Sequence, residues 1–339
     1  YTTLRGQPPF HPTMMTALLL FAYTQGVYSS RRIAKACEER VDFMAVTGMQ
    51  KPDFRTINAF RKRHLPALGR LFVQVLKLCR RAGLVRLGHV ALDGSKFKAN
   101  ASKHKAMSYP RMREDEARLR EEVAGWFREA DEADGNEDAA FGQDKRGDEL
   151  PAWVANKQQR LARIREAKAA LEQEAKGDED KHDRGEGNGR APKPLEKRQR
   201  NFTDPDSRVM RTKQTYEQSY NCQIAVDAHS QVIVAESLNN RQNDAPELPA
   251  MLQQIKANTG RQARELSADA GYCSEANLTE LARRHVQGYV ATGRQKHARG
   301  AATGQRLRGR AADMARRLLQ GGFRSRYRLR KQTLEPVFG

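Results

Sequence analysis

Apolar residues along the first eighty positions recur with helical spacing. Met14, Leu18, Phe21 and Ala22 form one such stripe, and Leu71, Val75, Leu78 and Cys79 form another. Between them, Ser29-Ser30 is placed to cap a helix carrying Arg31, Arg32 and Lys35. Asp53 is placed to open a second helix over residues 54–64, with Arg55, Arg61, Lys62 and Arg63 along it. The pair has the outline of a helix-turn-helix; a plain helical bundle with a solvated basic face fits as well. The pattern changes at Leu84. Val85 to Leu92 is short, apolar and β-branched enough for a buried strand, and it runs into Asp93-Gly94-Ser95 and then a lysine-rich stretch. An Asp-Gly pair commonly does no more than close a turn.

From 111 to 176 the period is helical again, with narrow stripes at Leu119, Val123, Trp126 and Phe127 and at Leu161, Ile164 and Leu171. We expect an antiparallel helical pair, broken by the Gly- and Asp-rich residues 135–147, and then a loop or disordered segment over 177–200. Strands return at 220–226 and 232–238 as a hairpin. A helix over 246–259, a strand ending at Ala268-Asp269, a helix over 275–284 and a strand over 288–291 follow. Strands alternating with helices predict an α/β fold with a mixed sheet, interrupted by a large helical insertion and preceded by an all-helical N-terminal domain. The expected divisions are 1–83, 84–110, 111–200 for the insertion with its loop, and 201–339.

Charge sharpens this picture. A net charge of +20 favours a polyanionic partner, of which nucleic acid is the commonest. The four cysteines are scattered, with no pair at zinc-ligand spacing, which fits a reducing cytoplasm. The apolar run at residues 17–22 is too short to span a bilayer, so no membrane is expected. The chain starts at Tyr1 and stops within an apolar pattern, so both ends are expected to be trimmed.

Asp93 and Asp269 share a description: each is a lone carboxylate just after a short apolar strand, followed by a small residue. Chemistry in open α/β sheets collects at the carboxyl ends of strands. Two carboxylates meeting there repel unless a cation lies between them, and oxygen donors suit Mg²⁺ or Mn²⁺. Glu335 is the only acid after Asp313, in a tail where arginine dominates, and is the natural third carboxylate; the bland reading is a surface ion-pair partner. Asn243-Asp244 follows the hairpin strand and invites a catalytic reading; a helix cap before Pro246 is preferred, because Asn and Asp lead at that position.

VALDGSKFKANASKHK with SYPRM, then LSADAGYCSEAN, then YRLRKQTLEPVFG resemble the DDE transposases of bacterial insertion sequences. YSSRRIAKACEERVDFMAVTG and PDFRTINAFRKRH are similar to that group's N-terminal domain. The resemblance implies a ribonuclease-H-like catalytic domain behind a helical DNA-binding domain. It implies a triad of Asp93, Asp269 and Glu335 binding two Mg²⁺, with Mn²⁺ able to substitute. The substrates implied are double-stranded DNA, both element ends and target, handled by a homo-oligomer at the bacterial nucleoid. The family's tail runs Tyr, two residues, Arg, three residues, Glu, six residues, Lys. Tyr327 and Arg330 fit its start, four residues separate Arg330 from Glu335, and counting from Lys331 gives three. The final lysine falls beyond Gly339. Lys96, Lys98, Lys103, Lys105, Arg55, Arg61, Tyr327, Arg330 and Lys331 are the expected DNA contacts, and His104 is read as one rather than as a general base. A solvated basic loop is the bland alternative for the lysines. The competing function is an inactive, truncated transposase that binds the ends as a repressor.

Overall fold

The computed structural model describes residues 9–141, 152–183, 191–212, 215–293, 308–321 and 326–338. The chain divides into two compact units, Tyr1–Ala82 and Gly83–Gly339.

The first unit is helical: α1 (Pro12–Thr24), α2 (Ser30–Glu39), α3 (Val41–Thr47), α4 (Phe54–Arg63) and α5 (Leu65–Arg81). Pro12 starts α1, where its missing N–H costs nothing. The Asp53 carboxylate caps α4 by accepting from the N–H groups of Arg55 and Thr56. Ser29 precedes α2, but its side chain makes no capping bond. Leu18, Leu19 and Ala22 of α1 bury against Ile33 and Cys37 of α2, Phe43 of α3 and Ile57 of α4. On α5 the expected stripe is not the buried one: Leu76 is buried while Val75 and Leu78 are exposed.

The second unit is built on a six-stranded mixed sheet. Its strands are β1 (His89–Lys98), β4 (Arg208–Arg211), β5 (Tyr216–Asp227), β6 (Ile233–Asn239), β7 (Glu265–Ala268) and β8 (Gln287–Val290). The order is β4-β5-β1-β7-β8, with β6 also paired to β5. Strand β5 is antiparallel to β1, β4 and β6, whereas β1, β7 and β8 run parallel. Helix α8 (Glu247–Thr259) links β6 to β7 and packs on β5 and β6 through an apolar face of Leu248, Met251, Leu252 and Ile255. Helix α9 (Glu275–Arg283) links β7 to β8, and α10 (Gly309–Gly321) packs on both α9 and β8. On the sheet face shared by Ala91, Ile224 and Val226, Leu334 of α11 (Leu329–Phe338) fills the core.

Between β1 and β4 lie β2 (Ala106–Ser108), α6 (Tyr109–Phe141), α7 (Ala152–Asp183) and β3 (Gln199–Asn201), with β2 and β3 paired antiparallel. The two helices form an antiparallel hairpin. Met112 and Leu119 pack against Leu161, Ile164 and Leu171. Glu116 pairs with Arg165 and Lys168 across the seam, and Glu122 with Lys157.

Three expectations change. The strand expected over 85–92 starts at His89 and continues to Lys98, because β5 pairs with it as far as Lys98↔Ser219. Asp93 therefore lies within a strand and not after one. Residues 85–88 instead form an approach in which the N–H groups of Arg86 and Leu87 bond the Asp227 carboxylate. The loop expected over 177–200 is partly structured, since α7 runs to Asp183 and β3 begins at Gln199. Residues 184–190 lie outside the described residues, as do 142–151, which take in the second half of the expected 135–147 break; α6 continues to Phe141 without interruption.

Candidate active site

Two neighbouring parallel strands explain how the acids meet. In the β1–β7 register Leu92 lies opposite Ala268. The next residue on each chain is an aspartate, so Asp93 and Asp269 emerge side by side. Asp93 Oδ1 accepts from the Gly94 N–H at 2.9 Å, and its Oδ2 accepts from Arg330 Nη1 at 2.5 Å. Burial pushes the Asp93 carboxyl above the usual aspartate range; Arg330 opposes this and the charge of Asp269 adds to it. Asp269 Oδ1 caps a single 3-10 turn (Ala270–Tyr272) by accepting from the Gly271 N–H at 2.8 Å.

A third carboxylate comes from the segment before α8. Asp244 Oδ1 accepts from Asn221 Nδ2 at 2.6 Å and Gln223 Nε2 at 2.8 Å, and Lys96 Nζ lies 3.4 Å away. Its side chain does not cap α8, which has no side-chain cap; only its backbone carbonyl accepts there, from Glu247 N–H. Asn243 Oδ1 bonds the Ala245 N–H instead. The capping reading fails for Asp244 because Asn221 and Gln223, two residues apart on one face of β5, draw the carboxylate toward the sheet.

Two glycines here sit in close quarters. A Cβ on Gly94 would lie 2.6 Å from Gln223 Nε2 and 2.9 Å from Asp244 Oδ1. A Cβ on Gly271 would lie 3.0 Å from Asp269 Oδ1 and 3.2 Å from Asp244 Oδ2. Both carboxylates thus border one small space. Behind it the fully buried Tyr272 hydroxyl donates to Gln223 Oε1. Burial, then the charges of Asp244, Asp93 and Asp269, pushes its phenol far above the ordinary range, so it stays a proton donor.

Glu335 is on α11 but is exposed and makes no hydrogen bond or ion pair among the described residues. Five residues beyond Arg330, it is rotated about 140° around the helix from the side chain that reaches Asp93. Asp93 and Asp269 are brought together and Glu335 is not joined to them. Tyr327 stacks near Arg330, whose guanidinium carbon is 5.9 Å from the ring centroid, and Lys331 is exposed.

Residues 1–63 match the family model described as Transposase domain (DUF772), and residues 190–333 match the one described as Transposase DDE domain. Together the matches span more than half of the chain. It belongs to the DDE transposases of insertion-sequence type. No curated protein and no solved structure matches the chain. No described helix is long and apolar enough to cross a membrane.

Members of this family typically use a divalent metal. The donors present fit one: Asp93, Asp244 and Asp269 offer only oxygen, the set suited to Mg²⁺ or Mn²⁺. Oδ2 of Asp244 and of Asp269 accepts no hydrogen bond among the described residues. Among those residues no group of three or more His, Cys, Asp or Glu side chains is placed to hold a metal ion; Arg330 holds one oxygen of Asp93.

The basic residues of the transposase divide into engaged and open. Lys96 is turned inward to Asp244 and to the Gln242 carbonyl. Lys98 pairs with Glu217 at 3.1 Å but stays largely exposed. Together with Asn100, Lys103, His104, Lys105 and Tyr216 it lines a cavity of about 560 Å³. In the N-terminal unit Arg61 donates to the Tyr28 carbonyl, while Arg55 lies against the Phe54 ring.

Sequence reasoning set Asp244 aside as a cap and missed Asn221, Gln223 and Tyr272. A signal was there: Asn221 and Gln223 alternate with apolar residues in YNCQIAV, placing two amides on one buried sheet face.

Proposed function

We propose that this transposase cleaves DNA at the ends of its insertion sequence and joins them to target DNA, using carboxylate-bound divalent cations. The observation that carries the reading is the meeting of Asp93 and Asp269 at adjacent residues of the parallel pair β1 and β7. The strand order supports a ribonuclease-H-like assignment: three antiparallel strands, β6, β5 and β1, continue into the parallel pair β7 and β8.

In this reading Asp93 and Asp269 are the first two acids of the triad, and Glu335, on the helix that crosses the same sheet face, is the third. Two Mg²⁺ ions, or Mn²⁺ in their place, supply Lewis-acid stabilisation of the attacking and leaving oxygens. Asp93, within β1, and Asp269, capping the turn after β7, hold ion-binding oxygens on fixed backbone, so little reorganisation is needed when charge develops. Arg330, within reach of Asp93, is the protein cation best placed to hold a phosphate oxygen. Lys98, Lys103 and Lys105 would grip phosphates beside the scissile bond, with Tyr327 and Lys331 on the other flank. Arg55 and Arg61 would place the N-terminal helices on the element ends, and a homo-oligomer would pair two ends.

The test is Mn²⁺-dependent cleavage and joining of DNA carrying the native ends, comparing the wild type with Asp93→Asn. Loss of both products in the variant, with end binding retained, is the expected result. Equal cleavage by the two proteins would overturn the reading.

A further inference from the structure

We infer that Asp244 is a further ion-binding carboxylate of this site, its Oδ2 sharing one divalent cation with the Asp269 carboxylate. The inference rests on the proposed metal-dependent reading and adds a ligand outside the Asp93, Asp269 and Glu335 set.

The carboxylate is oriented before any ion arrives. Asn221 Nδ2, Gln223 Nε2 and Lys96 Nζ all converge on Oδ1, which fixes the plane of the group and leaves Oδ2 bare. That bare oxygen borders the same small space as Asp269 Oδ1, and the space exists because Gly271 has no side chain to fill it.

Charge balance points the same way. Asp93 is matched by Arg330 and Asp244 by Lys96, but Asp269 has no ion pair among the described residues. Bringing three acids together with two cations leaves negative charge that a cation would relieve.

An independent observation comes from Asn221. Its side chain is wholly buried, and the amide that donates to Asp244 carries an Oδ1 with no hydrogen-bond partner. A buried acceptor left open costs about 1–3 kcal/mol unless something donates to it. An ion's bound water, in reach of Asp244, is such a donor.

The experiment uses the full chain freed of metal, without DNA, and reads Mn²⁺ binding by calorimetry. Asp244→Asn keeps an acceptor for Asn221, Gln223 and Lys96, so the fold is expected to survive. It should weaken Mn²⁺ binding by about tenfold or more, a loss typical even of residues that only orient a ligand. Binding within about twofold of wild type would overturn the inference. A second readout needs no variant: Fe²⁺ with peroxide and ascorbate should cut the wild-type backbone beside residue 244 as well as beside 93 and 269. Cuts at 93 and 269 without one at 244 would also overturn it. Asp93→Asn separates the two levels. If that variant loses Mn²⁺ while Asp244→Asn keeps it, only the role of Asp244 falls. If the wild type binds no Mn²⁺, the metal-dependent reading falls with it.

Discussion

Two places along β5, its C-terminal end and its middle, have carboxylates that are used in opposite ways. At one end Asp227 is almost wholly buried, and both of its oxygens are taken by the backbone. Oδ2 accepts from Arg86 and Leu87 N–H at 3.2 and 2.6 Å, and Oδ1 from His229 N–H at 2.9 Å. It pins the chain entering β1, including Leu87 in its left-handed conformation, to the end of β5. Beside the middle of β5, the half-buried Asp244 and Asp269 each leave an oxygen unbonded, near a third acid and against glycines. Lying against the same strand does not separate a structural acid from a functional one. What separates them is whether the fold consumes the lone pairs.

The largest effect should come from the acids whose oxygens are free. Asp269→Asn is expected to lower Mn²⁺-dependent end cleavage on the order of 10³-fold, several kcal/mol of transition-state stabilisation. Circular dichroism should show an unchanged fold. Asp227→Ala should do the reverse. Three buried N–H groups lose their acceptor at about 1–3 kcal/mol each, so urea unfolding should report a loss of about 3 kcal/mol or more. Cleavage per folded molecule should hold. A drop in Mn²⁺ affinity for Asp227→Ala would erase the distinction between the two places.

Glycines sharpen the same contrast at smaller amplitude. Gly94→Ala drives a methyl into Gln223 and Asp244 and is expected to cost about 1–3 kcal/mol together with most of the cleavage activity. Gly88→Ala, near the Asp227 end, meets nothing within 4 Å and should stay within about 0.5 kcal/mol of wild type. Equal losses for the two would mean that the crowding at Gly94 has no special consequence.

Much of this was legible in the residues themselves. The alternation in 220–226 and 232–238, the acids after VAL and LSA, and the helical stripes each point to the element that forms. Strand extent was not legible, because β1 passes Asp93 only where β5 supplies partners some 120 positions away. Asp244 was misread for a related reason. Asn and Asp before a proline carry a strong local capping preference, and two amides on a distant strand override it. Glu335 stood out by its isolation in a basic tail, yet sequence spacing gives no helix rotation, and rotation is what decides whether it can face Asp93.

The smallest effect concerns metal-free stability. The folded Asp93 carboxyl titrates above its unfolded value, chiefly because it is buried. A raised carboxyl contributes stability that is fully present below the unfolded value and is lost as pH rises through the folded one. At neutral pH the ionised Asp93 therefore burdens the metal-free protein, even with Arg330 beside it. Asp93→Asn should then melt at a higher temperature than wild type at pH 7 without metal, and the gap should shrink as the solution is acidified. Adding Mn²⁺ should reverse the order, because a ligand that binds only the folded state raises the melting point of the protein that keeps its ligands. Asp227→Asn, in contrast, should melt below wild type with or without Mn²⁺. If Asp93→Asn also melts lower in both conditions, Asp93 belongs with Asp227 as part of the scaffold, and the difference between the two places along β5 disappears.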